Sequence, residues 1–281
     1  MSVKILTDST CDLSAEIIEE FGINVIPLNI IMGEQSFRDG VDAKQEDIFK
    51  WADANKTTPK TSAPDLGLVE EVLTSFKEAG DEVVYLGIGA DMSSTYQTLR
   101  LAAEDLEYDK VYVIDSMNLS TGVGLQVLRA ADYAREGLSG AEIKEKIEAA
   151  RSRVRASFCI DTLTYLHRGG RCSGVAALLG AALMLKPMIA VREGKMVVAK
   201  KYRGKIRKVL MEYAKEMEPE LRNAETDRVF VTHTAPDELA DEIRAYVESL
   251  GIFKKVYVTK AGGVIASHCG PGTLGVLFYS K

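Results

Sequence analysis

The residues best suited to chemistry cluster in Gly87-Ile88-Gly89-Ala90-Asp91-Met92-Ser93-Ser94-Thr95-Tyr96-Gln97. An apolar, strand-like run over residues 82–88 gives way there to a helix-like run that begins near Ser93. A strand that ends in glycines and turns into a helix leaves several backbone N–H groups without intrahelical partners. Those donors and the positive end of the helix dipole favour an anion. Ser93, Ser94 and Thr95 add hydroxyls at the same place. The stretch reads as an anion seat, and the residue types leave open which anion it takes.

Other chemistries compete for the same residues. Gly87-Ile88-Gly89 and Gly122-Val123-Gly124 are fragments of a dinucleotide loop, but neither completes G-x-G-x-x-G and no G-K-[ST] follows. A hydrolase triad could be drawn from Ser93, His268 and Asp8, although no G-x-S-x-G elbow presents the serine. Ser93 also suits a plain helix cap. His268, in a glycine-rich stretch read as a loop, suits a structural role equally well. With only three histidines and no carboxylate pairing, His167 and His233 support no metal site. Lys200, Lys201, Arg203, Lys205, Arg207 and Lys208 form a dense basic cluster. It reads as a solvated helix face, or else as a contact for an acidic partner or an anionic membrane surface.

The elements that must position these residues follow from periodicity. Residues 3–6 read as a strand, and Ser14 caps a helix carrying Ile17, Ile18 and Phe21 that Gly22 ends. Residues 23–31 read as one extended run and residues 32–41 as a loop. Asp42 with Gln45 resembles a capping box. Lys60-Thr61-Ser62-Ala63-Pro64 reads as a hydroxyl-rich turn before a helix that Gly80 stops. Strands over residues 82–88 and 110–114, each followed by a helix, complete a series of alternating units. Such units imply a parallel sheet with helices on both faces. Ligands then sit beyond the carboxyl ends of the strands, where the hydroxyl clusters at residues 7–9, 93–95 and 116–121 all fall.

Ser139 with Glu142 opens a further helix, and the domain boundary is placed just after it, giving residues 1–155 and 156–281. In the second part, Glu193-Gly194-Lys195 marks a hairpin, and further alternating units suggest a mixed sheet with helices mainly on one face. Residues 175–185 are apolar all round, as befits buried structure or the wall of a greasy tunnel. The fold class is therefore α/β in two domains. The N-terminal one is a three-layer α/β/α with a parallel sheet, the C-terminal one a two-layer α/β with a mixed sheet.

Composition bounds the rest. A chain of 281 residues suits two domains at roughly 150 residues each. A net charge of −6 argues against a nucleic-acid binder. The N-terminus shows no signal-peptide pattern, and no apolar run approaches the roughly 20 residues that span a bilayer. The four cysteines are scattered without a C-x-x-C pair, as in a reduced, cytoplasmic protein.

Taken in order, several stretches resemble the DegV family of bacterial fatty-acid-binding proteins. They are Thr7-Asp8-Ser9-Thr10, Lys60-Thr61-Ser62-Ala63-Pro64, Met92-Ser93-Ser94-Thr95-Tyr96, Gly169-Gly170-Arg171, Lys186-Pro187 and His268-Cys269-Gly270-Pro271-Gly272. Each is weak alone; the ordered set spans nearly the whole chain. The resemblance implies a long-chain fatty acid between the two domains, its chain in an apolar tunnel and its carboxylate at the junction. It implies carboxylate binding by Thr61, Ser62, Ser93, Ser94 and His268, with Arg171 in the head-group network or facing a partner. It also implies a carrier without cofactor or chemistry of its own and a separate fatty acid kinase as partner; transient membrane contact is an expectation of the basic cluster alone. A monomer is expected. Two departures bear on the head group. Ser94 stands where the family usually has glycine, and Gly89-Ala90 where it often has two serines. The alternative is an enzyme, a hydrolase or phosphotransferase, using Ser93 or His268.

Overall fold

A computed structural model describes residues 2–178 and 184–281. The chain opens with β1 (Val3–Asp8), α1 (Ala15–Phe21) and β2 (Asn24–Ile26). Ser14 caps α1 by accepting a hydrogen bond from Ile17 N, and Gly22 closes it at φ +65°. The extended run divides at Pro27, because β3 (Asn29–Met32) leaves the sheet that holds β2. The stretch expected to be a loop contains β4 (Gln35–Arg38), a hairpin partner of β3 that turns at Gly33-Glu34 with Gly33 at φ +68°. Sparse apolar residues hid this strand, which is largely exposed.

α2 (Gln45–Asn55) is capped differently from the expectation: Asp47 accepts from Lys44 N at 3.0 Å. Asp42 is instead engaged by Arg38. The segment expected to be a turn is β5 (Lys60–Ser62), which pairs antiparallel with β3 in a three-stranded sheet ordered β4-β3-β5. Thr61 is therefore fixed by a ladder and not by a turn.

The first half continues with α3 (Leu66–Ala79), β6 (Glu82–Gly87), α4 (Thr95–Asp105), β7 (Val111–Asp115), α5 (Thr121–Arg135) and α6 (Gly140–Ala150). Its main sheet runs β2-β1-β6-β7, all parallel. Alternate residues of β1 and β6 point to opposite faces. Leu6, Val83 and Tyr85 meet α3 and α4, whereas Ile5, Val84 and Leu86 meet α1, α5 and α6. The three layers follow from that alternation.

The second half comprises β8 (Val154–Cys159), α7 (Leu163–Gly169), β9 (Cys172–Ser173), β10 (Leu185–Arg192), β11 (Lys195–Arg203), α8 (Ile206–Glu216) and α9 (Glu218–Arg222). It ends with β12 (Ala224–His233), α10 (Asp237–Ser249), β13 (Lys255–Lys260), α11 (Gly263–Cys269) and β14 (Leu274–Ser280). Its seven-stranded mixed sheet has the order β13-β12-β14-β8-β10-β11-β9. Glu193 and Gly194, at φ +48° and +79°, form the expected hairpin turn between β10 and β11.

Val229, Val231, Val276 and Phe278 pack one face of this sheet on α8, α9 and α10. On the other face Ala156, Phe230 and Leu277 share a core with α5 of the first half. Two layers of the second half thus close on the first. That double contact explains why α5 is buried almost all round, including Gln126, whose amide donates to Ser116 O and Gly122 O. Among the described residues no helix is long and apolar enough to cross a membrane. The middle of the apolar run 175–185, residues 179–183, lies outside the described residues.

Candidate functional site

Between the halves lies a cavity of about 220 Å³. Its walls are largely apolar, with Leu28, Ile88, Met92, Leu119, Met196 and Ile265 among them. Thr61, Ser62, Ser93, Ser94, Arg171 and His268 all line it too. Sequence positions spread over more than two hundred residues therefore converge on one space.

Each polar group arrives by a different element. Thr61 and Ser62 come from β5 at the edge of the small sheet. Ser93 and Ser94 sit where α4 begins. Ser93 Oγ accepts from Thr95 N and shares a hydrogen bond of 2.8 Å with Thr95 Oγ1, as a residue at a helix start does. Ser94 has φ −76°, a helical conformation that serine adopts without strain. Gly89 is tight where a serine would stand, because a Cβ there would lie 3.1 Å from Asn118 N.

His268 lies on the short buried helix α11, which corrects the expectation of a glycine-rich loop. The glycines around it suggest a loop, yet Gly262 and Gly263 begin the helix and Gly270 ends it. His268 Nε2 is 2.8 Å from Thr61 Oγ1. Its Nδ1 is enclosed and has no hydrogen-bond partner. Gly169 makes room for the ring, since a Cβ there would fall 2.3 Å from Nδ1. Burial, and then the nearby charge of Arg171, lower the imidazole pKa to about 4, so the ring is neutral at pH 7. A neutral ring carries one proton. Enclosing an unpaired N–H costs more than enclosing an unpaired lone pair, which favours the proton on Nε2. Thr61 Oγ1 then accepts from His268 and keeps its own hydrogen for a ligand.

Arg171 leads from α7 towards β9, with Nη1 donating to Gly169 O at 2.8 Å and Nε reaching Met92 O at 3.5 Å. It supplies the only formal charge among the described residues that line the cavity. Among the described residues no acidic side chain lines the cavity.

Other candidates fall elsewhere. Asp8 is buried and accepts from Thr10, Tyr85 Oη and Ile88 N, so it cannot complete a triad with His268. Of the hydroxyl clusters expected to share one edge, the hydroxyl residues Thr7, Ser9, Ser116, Ser120 and Thr121 are not among the lining residues, although Leu119 beside them is. Ser116 Oγ donates to Gly87 O, and Thr121 Oγ1 bonds Thr232 Oγ1, tying elements together. The basic cluster is split between β11 and α8, with Lys200 paired to Glu216 and Arg207 to Glu242. Among the described residues no group of histidine, cysteine and acidic side chains could hold a metal. The apolar wall residues Leu28, Leu119 and Met196 carried no signal in the sequence, because a cavity wall and a core share one pattern.

Residues 2–281 match the sequence model of the DegV family, described as an uncharacterised protein family. The chain belongs to the DegV family. It is 32% identical over 284 residues to a DegV domain-containing protein of Caldanaerobacter subterraneus, covering 99% of each chain. It is 33% identical over 277 residues to one from Clostridium perfringens, covering 99% of this chain and 98% of that one. Among solved structures, a DegV family protein from Thermus thermophilus, described by its fatty acid binding, superposes with a TM-score of 0.92 at 32% identity over all of both chains. DegV of Bacillus subtilis, a fatty acid binding protein, gives 0.86 at 26% over all of both chains. A stearic acid-binding protein from Eubacterium ventriosum gives 0.85 at 28%, covering all of this chain and 99% of that one. DegV architecture, with a parallel and a mixed sheet in two α/β parts, is thus the architecture of this chain.

Proposed function

We propose that this protein binds one long-chain fatty acid, such as palmitate, in the cavity between residues 1–155 and 156–281. The carboxylate is held by Thr61, Ser62, Ser93, Ser94 and His268, and Arg171 balances its charge. One observation carries this reading. The polar end of an otherwise apolar cavity consists of hydroxyls, a neutral imidazole and one guanidinium, with no acid among the described lining residues. That end suits a single negative charge, and the walls suit an alkyl chain. Fatty acid binding by the Thermus thermophilus and Bacillus subtilis relatives supports the same ligand class.

The energetics agree. About 15 methylenes at roughly 0.8 kcal/mol each supply on the order of 10 kcal/mol before the costs of association. The head group then needs to fix register and little more, which neutral donors do well.

In this reading the protein is a carrier and not an enzyme. Ser93 is engaged with Thr95, and no carboxylate stands behind Nδ1 of His268 to raise its basicity. It presents the carboxylate to a separate fatty acid kinase and has no cofactor. The exposed side chains of Lys201, Arg203, Lys205 and Lys208 meet that partner or, transiently, an anionic membrane surface. It acts in the cytoplasm as a monomer and does not engage nucleic acid. Native mass spectrometry of protein purified gently from a bacterial host tests the ligand: the expected species carries one C16 to C18 acid, and apo protein alone overturns the proposal.

A further inference from the structure

α11 has only seven residues, too few to hold a direction by itself. Something else must decide where His268 points. The first half of the chain supplies two buried carboxylates for this. Asp12 Oδ1 accepts from Gly262 N at 2.7 Å, and Asp39 Oδ1 accepts from Gly263 N at 2.7 Å. The other oxygen of Asp39, Oδ2, is enclosed without a hydrogen-bond partner, so the Gly263 N–H is the contact that engages this carboxylate. Gln45 Nε2 donates to Ala261 O at 2.9 Å, so the entry to the helix is gripped at successive residues.

The fit is close. A Cβ on Gly263 would lie 2.6 Å from Ile30 Cδ1 and 2.9 Å from Asp39 Oδ1. The far end of α11 is closed as well: Thr234 Oγ1 donates to Gly270 O at 2.6 Å. Asp12 itself sits at φ +52°, and Ser120, whose hydroxyl donates to its other oxygen, sits at φ +53°. Two non-glycine residues are thus held in sparsely populated conformations and meet each other.

An ordinary helix start is satisfied by one neighbouring serine or aspartate. Here two carboxylates come from positions 250 and 224 residues away, and no lysine or arginine pairs with either among the described residues. Burying them is costly. That cost is out of proportion to capping alone, and it gives the helix a fixed place relative to β5.

We infer that Asp12 and Asp39 are positioning residues of the head-group site, seating the start of α11 so that His268 stands against Thr61. The inference rests on the fatty-acid reading for its consequence in binding, but not for its effect on His268.

The experiment compares Asp12→Ala and Asp39→Ala with Asp12→Asn and Asp39→Asn in the full chain. Palmitate affinity is measured by calorimetry, the His268 ring is titrated by NMR, and folding is checked by urea midpoint. The alanine variants should weaken palmitate binding at least tenfold and move the His268 pKa from about 4 towards its ordinary 6.5. The asparagine variants keep an acceptor for the helix N–H groups and should restore both to within about threefold and half a unit. Folded alanine variants with an unmoved His268 titration overturn the inference, as do asparagine variants as impaired as alanine. Should the alanine variants not fold, Ser120→Ala, which removes only the donor orienting Asp12, must shift the His268 titration in the same direction; no shift overturns it. If wild-type protein binds no palmitate while the variants still shift the His268 titration, the ligand assignment falls and the positioning role stands.

Discussion

Thr61 Oγ1 and His268 Nε2 lie 2.8 Å apart although 207 positions separate them in the chain. One stands on an edge strand of the first half, the other on a seven-residue helix of the second. With the proton on Nε2, the imidazole orients the threonine hydroxyl, and that hydroxyl points its own hydrogen at the ligand.

Replacing Thr61 by valine keeps the shape and removes the hydroxyl. Palmitate affinity should fall roughly tenfold, the worth of one charge-assisted hydrogen bond at about 1.5 kcal/mol. The apo urea midpoint should hardly change, because Thr61 is only partly buried. A Kd within twofold of wild type by calorimetry would remove Thr61 from the site.

Gly169→Ala tests the space behind the ring. A Cβ 2.3 Å from His268 Nδ1 must push the imidazole off Thr61. We expect a fivefold to tenfold loss of palmitate affinity, about 1 kcal/mol, with the change confined to the site in an NMR amide map. Unchanged shifts at Thr61 and His268 would show that the ring has slack.

The protonation of His268 should make stability depend on pH. Its folded pKa of about 4 is below the ordinary 6.5, so the folded protein binds fewer protons than the unfolded chain between those values. The stability this contributes is complete above pH 6.5 and is lost as pH falls through 4. Asp12 and Asp39 act in the opposite sense: burial raises their pKa values, so their contribution falls as pH rises through the folded values. Comparing wild type with His268→Gln isolates the histidine. Their difference in unfolding free energy should shrink between pH 7 and pH 4 by up to about 3 kcal/mol. A difference that stays flat in urea titrations at several pH values would show that burial does not depress the ring.

Gly87→Ala should be among the most damaging small substitutions in the parallel sheet. A Cβ there would fall 2.0 Å from Asp8 Oδ2 and 2.1 Å from Tyr85 Oη, inside a buried hydrogen-bonded group. A loss of roughly 3 kcal/mol or more is expected from breaking such a group, read as a lower urea midpoint. A midpoint near wild type would mean that Asp8 and Tyr85 rearrange freely.

Lys201→Glu with Arg203→Glu tests the docking surface. Both side chains are exposed, and neither is among the residues that line the cavity. Palmitate affinity should stay within twofold while acyl-phosphate formation by a partner kinase drops at least fivefold. Equal loss of both would refute that division of labour.

What the chain determined locally was the inventory of elements and of head-group residues. Val3–Asp8 and Glu82–Gly87 are strands because their alternate residues serve two helix layers. Ser14 and the Ser139–Glu142 pair start helices because a side-chain oxygen three residues before an N–H is a short-range arrangement. Signals of that range survive in any linear reading. Thr61, Ser93 and His268 could be singled out as residue types in recognisable company. Their distances, and the neutrality of the ring, could not.

Only the tertiary structure decided how far-apart segments meet. β5 looked like a turn because three residues at the edge of a small sheet carry no periodicity of their own. α11 looked like a loop because its glycines suggest flexibility until Asp12 and Asp39 are seen to need them. The cavity wall could not be told from core, since both are apolar. Which buried side chains face space is a property of packing between the halves, and no local pattern encodes it.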